Sequence, residues 1–141
     1  DNIQAVRQLY LIDKSSPGTE KFHQSAARLM QRLTNNSPDE YIVIFEDYKA
    51  VSPKPRMSVD MLERLSFLYL SRKEFSKAAP LVATLFKTNP KSSNLPNYLF
   101  RLAEGLKNNN RPGEAKKCYQ ALVKYYPASE EGRSAAEKLR R

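Results

Sequence analysis

Apolar residues recur along most of the chain every three or four positions, which is the period of an amphipathic helix. We therefore expect an all-α protein of roughly seven helices, arranged as stacked helical hairpins. Proline, glycine and capping residues mark where the helices begin and end. The predicted spans are residues 2–12, about 19–35, 37–50, 59–72, 75–89, 95–109, 112–126 and 129–140.

The clearest helix-start signal is the stretch Ser37-Pro38-Asp39-Glu40. Ser37 can cap the helix, Pro38 suits the first helical position, and Glu40 completes a capping box. The next residues, YIVIF, have the propensity of a short strand. The capping signal before them favours a helix instead. Other predicted N-caps are Thr19, Ser58, Asn94 and Ser129.

Two prolines in three residues interrupt the helical pattern at Ser52-Pro53-Lys54-Pro55-Arg56. Proline removes a backbone donor and restricts the residue before it, so this stretch is predicted to be a loop. We expect it to join an N-terminal helical region, residues 1–52, to a C-terminal region, residues 58–141. Residues 19–50 form a helical hairpin that could be a degenerate repeat.

The C-terminal region contains an internal repeat with a constant offset of 37 residues. The first unit, residues 58–90, reads L-x2-L-S-x2-Y from Leu62, and the second, residues 95–127, reads L-x2-L-A-x2-L from Leu99. Each unit then has an alanine, a larger residue and a terminal proline at the same spacings. These later positions are Ala78, Val82 and Pro90 in the first unit, and Ala115, Tyr119 and Pro127 in the second.

This pattern resembles the tetratricopeptide (TPR) repeat, W-x2-L-G-x2-Y followed by A-x3-F and P. Small residues at Ser66, Ala78, Ala103 and Ala115 would let paired helices approach closely. Both repeats lack the tryptophan and the glycine, and each is three residues longer, with the extra residues in the loop 91–94. The resemblance implies a short α-solenoid closed by a polar capping helix over residues 129–140. The stretch YYPAS and the alanines after it are also similar to bacterial TPR proteins of envelope assembly.

The resemblance implies a protein–protein interaction module, an adaptor or assembly scaffold that binds a peptide or helix of another protein. In TPR arrays the first helices of successive repeats line a concave groove. The Lys and Asn of chaperone-docking TPRs are missing from the first helices, so binding of a chaperone tail is not expected. The groove candidates are Asp60, Glu63, Phe67, Leu70, Asn97, Phe100, Glu104 and Lys107. The alternative is that the N-terminal helices fold back and bury the two phenylalanines.

The formal net charge of +9 is distributed unevenly. Residues 1–50 carry six basic and seven acidic side chains, whereas residues 51–141 carry eighteen and eight. Such an excess suits an acidic protein, an anionic membrane or nucleic acid, and also fits a lysine-rich solvated surface. No nucleic-acid module is recognised, and self-association through the repeats is a further alternative. The predicted basic surface comprises Arg72, Lys73, Lys77, Lys107, Arg111, Lys116, Lys117 and Lys124.

The sequence gives little support for catalysis, a metal or a cofactor, and we expect none. His23 is the only histidine and Cys118 the only cysteine, which leaves no His-based metal cluster and no internal disulfide. Cys118 is expected to pack as a small apolar residue, with a reactive thiol beside Lys116 and Lys117 as the alternative. The chain begins at Asp1 rather than methionine, which suggests a fragment whose missing segment could carry a membrane tether.

Overall fold

The computed structural model describes residues 2–141, and within them the chain forms eight α-helices and no β-strand. The all-α prediction is confirmed, with one helix more than the rounded expectation. The helices are α1 (Ile3–Asp13), α2 (Glu20–Leu33), α3 (Pro38–Val51), α4 (Val59–Ser71), α5 (Phe75–Thr88), α6 (Leu95–Asn108), α7 (Pro112–Tyr125) and α8 (Glu130–Leu139).

Most of the predicted helix starts are confirmed by side-chain caps. The Ser37 hydroxyl accepts a hydrogen bond from the backbone N–H of Glu40 at 3.2 Å, and Thr19, Ser58 and Ser129 cap α2, α4 and α8 in the same way. The prediction for Asn94 is wrong, because its side chain makes no capping bond. Instead the Ser92 hydroxyl accepts from the Asn94 backbone N–H at 3.3 Å. The YIVIF stretch lies inside α3, as the capping signal before it indicated.

The chain divides into two compact units, and the boundary follows Met61, inside α4 rather than in the loop at 52–56. In the N-terminal unit α2 packs against both α1 and α3. The core of this unit contains a line of rings, with Phe22 5.3 Å from Tyr10 and 5.5 Å from Tyr48 between ring centroids. Arg7 and Lys14 of α1 form ion pairs with Glu40 and Asp47 of α3.

In the C-terminal unit, which starts at Leu62, consecutive helices from α5 to α8 pack against one another. The short connections make neighbouring helices antiparallel, so the arrangement is repeat-like. The leucine, small and aromatic positions of the 37-residue repeat form its core. Every one of them is at most 6% exposed: Leu62, Leu65, Ser66, Tyr69, Ala78, Val82, Leu99, Leu102, Ala103, Leu106, Ala115 and Tyr119.

The turns that follow α4 and α6 repeat the same backbone geometry. Lys73 and Asn110 lie 37 residues apart and have positive φ angles of 60° and 61°. In each turn the next N–H donates to a carbonyl five residues earlier, Glu74 to Tyr69 at 2.9 Å and Arg111 to Leu106 at 2.8 Å. This is the hydrogen bond of a Schellman C-cap, so the sequence repeat corresponds to a repeated structural element.

Candidate functional site

The first helices of the two C-terminal repeats, α4 and α6, carry most of the predicted groove residues. Phe67 is 49% exposed, and Asn97 and Lys107 are also exposed. Glu63 and Glu104 are partly buried, because each makes a contact within the unit. Asp60 is exposed but lies before the unit boundary. The surface of the C-terminal unit is therefore centred on one half-exposed aromatic ring.

Two of the predicted groove residues do not lie on an open surface. Leu70 is 2% exposed and forms part of the core. Phe100 is partly buried, and its ring meets that of Tyr119 at 6.0 Å in a T-shaped contact. The second helix of the repeat thus covers Phe100, whereas Phe67 has no aromatic partner among residues 2–141.

Side chains of neighbouring first helices bridge one another at equivalent positions. The Arg101 guanidinium lies over the Phe67 ring, 5.8 Å from its centroid, which joins α6 to α4. One repeat later, Lys138 of α8 lies 3.4 Å from the Glu104 carboxylate of α6. Both pairs span 34 residues and are offset by 37. The same register therefore relates α8 to α6 and α6 to α4.

Hydrogen bonds hold the two glutamates of this surface in place. The Ser92 hydroxyl donates to Glu63, and the Tyr119 hydroxyl donates to Glu104. Burial, together with this bond to a carboxylate, raises the pKa of Tyr119, so the phenol remains a donor at physiological pH. Both glutamates are engaged within the unit, and the exposed part of the surface consists of Phe67 with basic and amide side chains.

Arg101 and Lys138 were not identified from the sequence, although a signal for them exists. The 37-residue offset aligns them with Arg64, so the same position is basic on α4, α6 and α8. A repeated charge that follows the period of the repeat indicates a repeated contact. Only the structure shows that the partners of this contact are Phe67 and Glu104.

All eight residues of the predicted basic surface are exposed. They do not form one uninterrupted field, since Lys77 lies 3.8 Å from Glu74 and Arg111 lies 3.7 Å from Glu114. These two ion pairs occupy equivalent positions with their charges exchanged. Antiparallel stacking places the α4–α5 and α6–α7 turns at the same end of the unit, where acidic partners offset part of the positive charge.

The two residues considered for chemistry have structural environments. Burial, with the Glu114 charge adding to it, raises the pKa of the Cys118 thiol to about 11, so the thiol is protonated at neutral pH. His23 Nδ1 lies 2.5 Å from the Tyr48 hydroxyl, which also accepts the Arg56 backbone N–H at 2.8 Å. The Tyr48 proton therefore points to His23, and this pair ties the loop after α3 to α2.

No group of three or more potential metal ligands occurs within residues 2–141. Over the same residues, no helix combines the length and apolarity that crossing a bilayer requires. Comparisons with protein families, with characterised proteins and with solved structures found no match to this chain.

Proposed function

We propose that the C-terminal unit is a TPR-like protein-interaction module that binds a peptide or helix of another protein against its first helices. The resemblance of its sequence pattern to TPR repeats supports this, as does the burial of the pattern positions. The equivalent turns at Lys73 and Asn110 and the equivalent bridges between first helices add structural support. The proposed function is adaptor or scaffold binding, without a catalytic step.

The observation that carries the proposal is the exposure of Phe67. A half-exposed phenylalanine on an otherwise satisfied helix surface gains free energy when a partner covers it. Arg101 covers part of the ring and supplies donors to a partner's carbonyl or carboxylate groups. A partner segment with an apolar residue next to an acceptor group fits this pair.

The test is affinity capture of proteins from the source cell with the whole chain and two variants. Phe67→Ala removes the proposed anchor, and Tyr125→Ala removes a ring of similar exposure, 52%, outside the first helices. We expect a partner that is retained at moderate salt, lost in Phe67→Ala and kept in Tyr125→Ala. The proposal fails if the two variants capture the same proteins as the unmodified chain.

A further inference from the structure

A second exposed surface of the C-terminal unit lies away from the first helices and combines aromatic rings with lysines. We call it the aromatic–lysine patch. Its rings come from the ends of α5 and α7, where Phe86 lies 5.1 Å from Tyr125 and 6.3 Å from Tyr126 between centroids. The patch comprises Phe86, Lys87, Lys91, Lys124, Tyr125 and Tyr126.

Printed contacts join the parts of the patch that are distant in sequence. The Tyr126 hydroxyl donates to the Pro90 carbonyl at 2.5 Å, which brings the α5–α6 turn and Lys91 next to the end of α7. Lys124 Nζ lies 5.1 Å from the centre of the Tyr125 ring. Lys87 directly follows Phe86 in α5. The six residues therefore share one end of the unit.

The charge of the patch is unusually one-sided. The sequence has no acidic residue between Glu74 and Glu104, and none between Glu114 and Glu130. Lys87, Lys91 and Lys124 are exposed, and within residues 2–141 none of them forms an ion pair. The basic turns at the other end of the unit differ in this respect, since Glu74 and Glu114 lie within them. The patch therefore suits an anionic partner.

We propose that the aromatic–lysine patch is a peripheral docking surface for an anionic lipid bilayer. Tyrosine suits the boundary between headgroups and acyl chains, because its ring is apolar and its hydroxyl polar. Lysines on flexible stems act as point charges on a layer of anionic headgroups, and the patch contains no arginine for bidentate recognition of a single phosphate. This surface is separate from Phe67, and the inference goes beyond the proposed function.

A nucleic-acid strand fits the patch less well. Single-stranded nucleic acids bind aromatic side chains by stacking bases on open ring faces. Lys124 lies over the Tyr125 ring, and Phe86 meets that ring at an interplanar angle of 63°. Tyr126 is partly buried and bonded to Pro90. The ring faces are already in contact, and the exposed part of the patch is a mixture of ring edge and ammonium groups.

The test is co-sedimentation of the 141-residue chain with vesicles of phosphatidylcholine, with and without 30 mol% phosphatidylserine as a mole fraction of about one third. We expect binding at low salt that requires the anionic lipid. The triple variant Lys87→Gln/Lys91→Gln/Lys124→Gln should bind about 100-fold more weakly, because each lysine near an anionic surface contributes roughly fivefold. Tyr125→Ser should weaken binding further, while Tyr125→Phe should retain it.

The matched control is Lys107→Gln/Lys116→Gln/Lys117→Gln, which removes the same charge from exposed positions outside the patch. It should keep most of the binding, and Phe67→Ala should keep all of it, so loss of the groove is distinguishable from loss of the patch. Equal weakening by both triple variants overturns the patch, because general charge would then be sufficient. Absence of vesicle binding at low salt also overturns it, as does patch-dependent binding to a single-stranded oligonucleotide alone. Circular dichroism checks that each variant is folded.

Discussion

Ser66 occupies the small-residue position of the first repeat, and its hydroxyl is fully buried with no hydrogen-bond partner in the part of the chain that the structure describes. The equivalent residue in the second repeat is Ala103, which packs without a polar atom. A buried hydroxyl that makes no hydrogen bond has lost its bonds to water without replacement. The close approach of the helices therefore requires small size at this position rather than polarity.

We predict that Ser66→Ala raises the free energy of unfolding by about 1 kcal/mol, because it removes an unsatisfied polar group and favours the helix. Chemical denaturation measures the change. Ser71→Ala, at an exposed position of the same helix, controls for helix propensity alone. A loss of stability in Ser66→Ala would mean that the hydroxyl has a partner after all.

Asp47 makes the N-terminal unit sensitive to acid. Burial alone would raise its pKa, but hydrogen bonds from Lys14 and Tyr10 and the charge of Lys14 together lower it. A depressed pKa contributes stability above the unfolded-state value of about 3.9, and this contribution is lost as the pH falls through the folded-state value.

Asp47→Asn should therefore cost up to about 1 kcal/mol at pH 7 and progressively less below about pH 4, since the ion pair is partly exposed. Denaturant midpoints across that range measure the difference. Asp60→Asn, at an exposed position, is the control. A pH-independent difference between Asp47→Asn and the unmodified chain would exclude the ion pair as its cause.

At the scale of the helix, the repeated turns after α4 and α6 carry a conformational cost. Lys73 and Asn110 adopt the left-handed region, which is unfavourable for residues with a Cβ. We predict that Lys73→Gly raises the free energy of unfolding by about 1 kcal/mol. Lys116→Gly, an exposed position within α7, should lower it by about 0.5–1 kcal/mol. If both glycines destabilise the protein, Lys73 is not in the left-handed conformation.

The start of α8 lies against the chain that leads into it, because Gly132 has no side chain. A Cβ at Gly132 would meet the carbonyl oxygen and backbone of Tyr126, which have little freedom to move. Gly132→Ala is therefore predicted to destabilise the protein by about 1–3 kcal/mol. Gly113→Ala is the matched control, since a Cβ there meets open space in the first turn of α7. Equal effects in thermal unfolding would exclude the close approach at α8.

The ends of the helices could be predicted because their signals are local. Ser37 with Pro38, Pro112, and Ser129 each act within one turn, and the structure places helix starts beside them. Asn94 failed because the nearby Ser92 takes the backbone donor instead. The exposure of Phe100 could not be predicted, since the Tyr119 ring that covers it comes from another helix. Contacts between helices depend on side-chain direction and on register, which helical periodicity leaves open.

At the scale of the whole molecule, the positive charge and the exposed rings are concentrated in the C-terminal unit. This unit presents two distinct surfaces, the first helices around Phe67 and the aromatic–lysine patch around Tyr125. A partner that buries Phe67 against apolar groups should remain bound at moderate salt, whereas patch binding should weaken steeply. Salt dependence therefore separates the two kinds of interaction.

The most direct measurement is site-specific photo-crosslinking in the source cell, with a photoreactive residue at position 67 in one variant and at position 125 in another. The account predicts one defined protein crosslinked from position 67, at a contact that Arg101→Ala weakens, and not from position 125. Because the two side chains are similarly exposed, random encounters would label both equally. The same crosslinked proteins from both positions, or none from position 67, would contradict a partner-binding surface on the first helices.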